Sequence, residues 1–288
     1  MRVLPATLHT LVTVTRSNLE VTLSEVVDPA LPLTPHSGLA GMSVMVTGAG
    51  SGIGRAAVAA LVAAGARVLA VGRTEQALKE TAAEAAGPGE ASWTRADIRR
   101  SEDVEAAVRV TEERYGPLQG AFNAAGTFGR FGPLHGDDPE NFADVVGTNL
   151  GGVWDCMRHQ LPRIREAGGG SIVNCASVAA HLGHARSPLY SATKHAVIGL
   201  SKSAALQYAA DNVRINVVSP GSTDTPMLRS LYPSEEALDT RRHRAPLRRL
   251  GTSQDVAGAV LWLLDSTASG YVTGQTVIVD GGVTAGSS

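Results

Sequence analysis

Cysteine is scarce in this chain, with only Cys156 and Cys175 among 288 residues. Two such isolated thiols form neither a disulfide framework nor a metal-ligand spacing. Cys175 lies in an apolar run and reads as a small core residue, and no His/Cys/Asp cluster points to a metal ion. A surplus of one charge is also missing: 25 Lys and Arg stand against 27 Asp and Glu, a net charge of −2. That balance excludes any general electrostatic hold on nucleic acid or an anionic membrane. No apolar stretch approaches the ~20 residues of a membrane span. Together these absences fit a soluble protein in a reducing compartment, and we expect a cytoplasmic one.

What the chain does have is 43% apolar residues, enough for a full core, and 32 scattered glycines that suit many tight turns. Residues 1–40 differ from the rest. His9 to Thr15 and Leu19 to Leu23 alternate apolar and polar around Arg16-Ser17-Asn18, a β-hairpin pattern. Pro29, Pro32 and Pro35 then make a linker. The first 19 residues lack acids, as transit peptides often do, but β-branched alternation argues against an amphipathic targeting helix. We expect an N-terminal extension over 1–40 and one domain over 41–288.

From Gly41 onward, strands and helices alternate. Strands are predicted at Ser43–Val46, Arg67–Val71, Ala91–Ala96, Gln119–Asn123, Ser171–Ala176, Val213–Ser219 and Thr276–Val279. Helices are predicted at Arg55–Ala64, Glu75–Ala86, a Ser101-capped run to Tyr115, Pro139–Glu166, Tyr190 to about Ala210, and a Ser253-capped run to Leu264. This order predicts an α/β fold: a single doubly wound, Rossmann-type domain with a seven-stranded parallel sheet and helices on both faces. Ligands of such sheets sit beyond the carboxyl ends of the strands. The glycine turn after the first strand, Asn123, Ser177 and Pro220 all follow strands, so one rim should collect them.

That turn reads Thr47-Gly48-Ala49-Gly50-Ser51-Gly52-Ile53-Gly54. Its glycines let the backbone approach a pyrophosphate, which the following helix N-terminus attracts. The second strand ends at Val71-Gly72-Arg73. No acid stands there to hold an adenosine ribose diol, whereas Arg73 suits a 2′-phosphate. Asp97, after the third strand, is a candidate acceptor for the adenine amino group, or simply a loop acid. Farther on, Tyr190 and Lys194 stand four apart at the start of a helix and share one face. A free phenol titrates near ~10 and is a poor base, and a nearby ammonium favours its ionised form.

With Asn123-Ala124-Ala125-Gly126, Asn149, Ser177, Tyr190-Ser191-Ala192-Thr193-Lys194 and Pro220-Gly221, these motifs resemble the successive signatures of the short-chain dehydrogenase/reductase family. They stand in the family's order and spacing, with twelve residues between Ser177 and Tyr190. The resemblance implies a hydride-transfer enzyme using NADP or NAD, with Asn149, Ser177, Tyr190 and Lys194 as its catalytic residues. Tyr190 would exchange a proton with the substrate oxygen and Ser177 would hold that oxygen. Lys194 would lower the tyrosine pKa and grip the nicotinamide ribose, while Asn149 would support a water path to Lys194. The resemblance also implies cofactor contacts from Gly48, Ser51, Gly52, Ile53, Gly54, Arg73, Asp97, Ile98, Asn123, Ala125, Gly126, Tyr190, Lys194, Pro220, Gly221, Thr223 and Thr225. Two positions depart from the family's usual pattern: Ala124 replaces a second asparagine, and Thr223 stands where an aliphatic residue is common.

His181 and His184 fall between Ser177 and Tyr190, where they either line the substrate mouth or are solvated. The basic run Arg241-Arg242-His243-Arg244, with Arg248-Arg249, reads either as a solvated face or as a lid over a polar or acidic substrate. The expectation is an NADP-preferring oxidoreductase interconverting a small ketone and a secondary alcohol. By resemblance it would be a homotetramer or homodimer, with Thr276–Val279 at a subunit contact. Two alternatives stand beside it: a reductase of carrier-bound 3-oxoacyl groups, and a non-catalytic nucleotide sensor on the same fold.

Overall fold

Seven short strands carry the architecture, and alternation along each sorts side chains to two faces. In the computed structural model, which describes residues 36–286, they are β1 (Ser43–Thr47), β2 (Arg67–Gly72), β3 (Glu90–Arg95), β4 (Gly120–Asn123), β5 (Gly170–Cys175), β6 (Val213–Pro220) and β7 (Thr276–Val279). Every pairing is parallel, and the sheet order is β3-β2-β1-β4-β5-β6-β7. The chain winds outward from β1 in one direction and from β4 in the other. The crevice between those two strands is therefore the topological switch point, where α/β sheets bind ligands.

Helices cover both faces. On one side Val44, Val46, Val68, Ala70, Phe122 and Val218 pack against α1 (Gly52–Ala63) and α9 (Ser253–Leu264). On the other, Met45, Leu69, Ala121, Ile172 and Ile215 meet α3 (Ser101–Tyr115), α5 (Gly152–Glu166) and α6 (Pro188–Tyr208). Neighbouring residues such as Val44 and Met45 go to opposite cores, as period-2 alternation requires. The remaining helices are α2 (Glu75–Glu84), α4 (Pro139–Val146), α7 (Pro226–Leu231), α8 (Glu235–Arg244) and α10 (Ser266–Ser269).

Several local expectations are corrected. The predicted helix over Pro139–Glu166 divides into α4 and α5 around a π-helical turn at Gly147–Gly151. A π turn widens the helix and re-aims the side chains it carries, and Asn149 sits at its centre. Ser101 is the first residue of α3 rather than its cap. Its hydroxyl instead meets the His159 ring at 2.9 Å. Thr252, not Ser253, caps α9, in a capping box with Asp255. Leu39, on a 3₁₀ turn at Ser37–Leu39, is fully buried, so core packing begins before Gly41. The predicted hairpin and proline linker fall on residues 1–35, outside the described residues. Helices α7 and α8 were not anticipated. They fold the stretch after β6 back beside the cleft, with the caps Thr225 and Ser234 each accepting from a backbone N–H.

Candidate active site

The glycine turn between β1 and α1 is built for close approach. Gly48 adopts φ +68°, and a side chain there would put its Cβ 2.8 Å from the Ala125 backbone. A Cβ on Gly54 would fall 2.3 Å from the Gly48 carbonyl oxygen. Ser51 precedes α1 in an extended conformation and makes no side-chain capping bond. The first-turn amides of α1 thus face a cleft of about 450 Å³, whose lining includes Gly48 and Gly50 to Gly54. Unsatisfied helix-start amides together with the macrodipole favour an anion at that spot.

Toward β2 and β3 the same cleft is lined by Gly72, Arg73, Asp97 and Ile98. Asp97 is not idle there. Arg99 grips its carboxylate through Nη2 at 2.5 Å and through its own backbone amide at 3.1 Å. The hydrogen bond from Arg99 is the largest cause holding this carboxyl below the usual aspartate range. Any further donor to Asp97 shares those oxygens with Arg99.

The opposite wall belongs to β4, β5 and α6. Ala125, Gly126, Ser177, Tyr190 and Lys194 all line the cleft, as do Pro220, Gly221, Thr223 and Thr225 from the end of β6. Pro188 starts α6, a position where its missing N–H costs nothing. Tyr190 therefore falls in the first turn and Lys194 one turn later. Lys194 Nζ donates to the Cys175 carbonyl at 2.8 Å and lies 5.7 Å from the centre of the Tyr190 ring. Burial pushes the Tyr190 phenol well above its ordinary value, and the nearby Ser177 hydroxyl opposes that rise. Burial also pushes the Lys194 ammonium down. The expected lowering of Tyr190 by Lys194 is not among the effects on the phenol here: desolvation of the phenolate dominates, and the ammonium is turned to the Cys175 carbonyl.

Asn149 is fully buried just behind this wall. Its Oδ1 accepts from the Thr127 amide at 2.8 Å, and its Nδ2 donates to the Thr127 carbonyl at 2.8 Å and to Thr193 Oγ1 at 3.3 Å. A Cβ on Gly126 would stand 3.1 Å from Asn149 Oδ1 and 3.6 Å from Lys194 Nζ. Both polar atoms thus lie beside the Gly126 Cα.

Asn123 departs from expectation. It does not line the cleft; its amide exchanges two hydrogen bonds of 3.0 Å with Gln160 and donates to Asn174 Oδ1 at 2.9 Å. The side chain faces into the helical layer, where it ties β4 to α5 and β5. His181 is likewise committed, 3.1 Å from Ser219 Oγ. His184 stacks on Phe131, with ring centres 5.6 Å apart. Sequence reasoning missed Phe128, which lies 4.2 Å from the Tyr190 ring and lines the cleft. Its place two residues after Gly126 was the available signal.

The glycine cradle, open amides and tyrosine-lysine wall form one crevice whose residues fit a nicotinamide dinucleotide laid across the switch point. Comparison with known proteins agrees. A family model described as enoyl-(acyl carrier protein) reductase matches residues 48–284. The chain is 39% identical, over 86% of its length and 99% of the relative's, to a 2,5-dichloro-2,5-cyclohexadiene-1,4-diol dehydrogenase of Sphingobium indicum. It is 38% identical to a cyclohexanol dehydrogenase of an Acinetobacter species, covering 83% of this chain and 94% of that one. The crystal structure of levodione reductase superposes with a TM-score of 0.82 at 35% identity, covering 86% of this chain and 99% of that one. The chain belongs to the short-chain dehydrogenase/reductase family. It is an oxidoreductase of the secondary alcohol–ketone type, acting on CH–OH groups with a nicotinamide dinucleotide.

Proposed function

We propose that Tyr190 is the general acid and base of this enzyme, with Ser177, Lys194 and Asn149 completing the catalytic set. The observation that carries the proposal is that Ser177, Tyr190 and Lys194 share one wall of the cleft into which the α1 amides open. In the reductive direction Tyr190 gives its phenolic proton to the carbonyl oxygen as negative charge builds there. Ser177 donates to the same oxygen, so both groups act more strongly on the transition state than on the neutral ketone. In the oxidative direction the phenolate removes the hydroxyl proton. A dinucleotide, when bound, supplies the hydride acceptor or donor. Lys194 and Asn149, buried side by side behind Gly126, return the proton to Tyr190 and hold the sugar end of the cofactor. Asn123 acts through the strand it anchors, not by contact.

NADP is the proposed preferred cofactor, because Arg73 lines the cleft with only Gly72 where an acidic residue would favour NAD. The substrate class follows from the wall: Phe128 beside Tyr190 offers a flat apolar face for a ring-borne carbinol. The Sphingobium and Acinetobacter relatives carry six-membered carbinols in their names, and cyclic ketones are proposed here on both grounds. All of these groups lie within residues 41–288, so that segment is proposed to suffice for the reaction. A homodimer or homotetramer is also proposed, supported by edge strand β7, which exposes Ile278, and by the fully exposed Tyr271. The test is a screen of cyclic ketones and secondary alcohols with NADPH and NADH, followed at the nicotinamide absorbance. Turnover with NADPH leading is expected; a protein that binds dinucleotide yet turns over no carbonyl or carbinol refutes the reading.

A further inference from the structure

We infer that the mouth of the cleft recognises a carboxylate on the substrate, held by Arg186, Arg241 and Arg244. The inference rests on the ketone-reductase reading above and names the kind of ketone: one that carries its acid away from the reacting carbonyl.

The placement begins at Tyr190. Phe128 lies against it at 4.2 Å, Phe131 meets Phe128 edge-on at 6.0 Å, and the Arg186 guanidinium stands 5.1 Å over Phe131. An apolar path of rings thus leads from the reacting group to a cation. The two loops that form it are tied together. The Gly132 amide donates to the Arg186 carbonyl at 3.0 Å, and the Ser187 hydroxyl donates to the Phe128 carbonyl at 3.3 Å. On helix α8 the Arg241 guanidinium stands 4.2 Å over the Tyr232 ring, hydrogen-bonded to that phenol, and near enough to Arg186 and His184 for its charge to act on both.

Charge accounting separates these arginines from their neighbours. In the basic run, Arg242 is paired with Glu235 at 3.0 Å and His243 with Asp239 at 3.1 Å. Arg249 holds Asp255 at 2.6 Å, and Arg229 holds Asp224 at 2.7 Å. Among the described residues, no carboxylate lies within ion-pair distance of Arg186, Arg241 or Arg244. Yet the three are close enough to act on one another and on His184. Burial first, then Arg244 and Arg186, lower the Arg241 pKa, and burial followed by Arg241, Arg244 and Arg186 lowers that of His184. Kept neutral, His184 does not add to the repulsion, and its Nδ1 is buried with no partner. A half-buried arginine with two cationic neighbours and no anion is electrostatically unfavourable by itself. A carboxylate relieves it, because guanidinium forks match carboxylate geometry. Arg186 and Arg244 are exposed at this rim, and Arg241 is half-buried against Tyr232.

The test compares straight-chain methyl ketones bearing a terminal carboxylate, over a range of chain lengths, with their methyl esters. The pair 4-oxocyclohexanecarboxylate and its methyl ester is included. At the best spacing, kcat/KM for the acid should exceed that for the ester about tenfold or more, equivalent to ~1.4 kcal/mol, and the ratio should shrink with added salt. Arg241→Gln and Arg186→Gln should each bring the acid-to-ester ratio toward one, and Arg241→Lys should recover part of it. An equal rate for acid and ester at every length, or an unchanged ratio in the variants, overturns the inference while leaving ketone reduction intact. If no ketone reacts with either cofactor, the ketone-reductase reading itself fails. Titration calorimetry of the same keto acids then decides the arginine claim. Binding that weakens in the more exposed Arg244→Gln variant and in Arg241→Gln supports it; no binding, or equal binding in all, overturns it.

Discussion

Lys194 stands with its ammonium 5.7 Å from the centre of the Tyr190 ring and 2.8 Å from the Cys175 carbonyl oxygen. The phenol is therefore governed first by its burial, which raises its pKa, and only then by the nearby Ser177 hydroxyl, which lowers it. A raised pKa keeps the acid form present across neutral pH. Reduction, which consumes that form, should have a kcat/KM flat from about pH 6 to 8 if Tyr190 is the essential acid. Oxidation needs the phenolate, whose fraction rises tenfold per pH unit below the pKa, and should accelerate over the same range. Tyr190→Phe should lower kcat by ~10²- to 10⁴-fold in both directions, with dinucleotide affinity, read by fluorescence titration, nearly unchanged. Unaltered turnover in that variant would remove the phenol from the chemistry.

The glycine turn gives a prediction about packing rather than charge. A methyl on Gly54 would sit 2.3 Å from the Gly48 carbonyl oxygen, a backbone atom that cannot step aside. Gly54→Ala should cost ~1–3 kcal/mol in unfolding free energy, the usual range for overpacking, and weaken dinucleotide binding as the turn shifts. Gly147→Ala is the control, since a Cβ there meets nothing within 4 Å. Equal melting temperatures for the two variants would contradict the geometric account.

What could be read ahead of the structure was whatever is local. Gly48 to Gly54, and Tyr190 with Lys194, announce themselves through spacing along one turn or one helix face. Strand positions were legible for the same reason. The capping box was legible too, since Thr252 and Asp255 stand at the right separation, but Ser253 was read in its place. The π turn at Gly147–Gly151 leaves no periodic trace, so the aim of Asn149 was not foreseeable. Asn123 was expected at the cofactor because strand ends meet ligands, yet alternation on β4 sends its side chain the other way. The meeting of Arg186 with Arg241 is purely tertiary: 54 residues of intervening chain must fold before the two cations approach.

Asn123 carries its own test. It shares a closed amide pair with Gln160, both fully buried, and Asn174 extends the network to Ser201 Oγ at 2.9 Å. Gln160→Leu would leave the Asn123 carbonyl without its donor and its amide with one acceptor fewer. A buried polar group so orphaned costs ~1–3 kcal/mol. Chemical denaturation should show that loss, while the KM values for NADPH and NADH should move little because neither side chain lines the cleft. A selective rise in cofactor KM would return Asn123 to the binding surface.

The proposed preference for NADP rests on Arg73. The residue lines the cleft beside Gly72 at the end of β2, and among the described residues no carboxylate pairs with it. Its guanidinium is thus available to a 2′-phosphate, and a charge-assisted hydrogen bond of this kind contributes ~1.5–3 kcal/mol. Arg73→Ala should raise the KM for NADPH by roughly 10- to 100-fold and leave that for NADH within about twofold. Arg73→Lys should recover only part of the loss, since a point charge lacks the planar fork. Added salt should weaken NADPH binding more than NADH binding in the unmodified protein and erase that difference in Arg73→Ala. Equal KM shifts for both dinucleotides would mean that Arg73 shapes the turn after β2 rather than reading a phosphate.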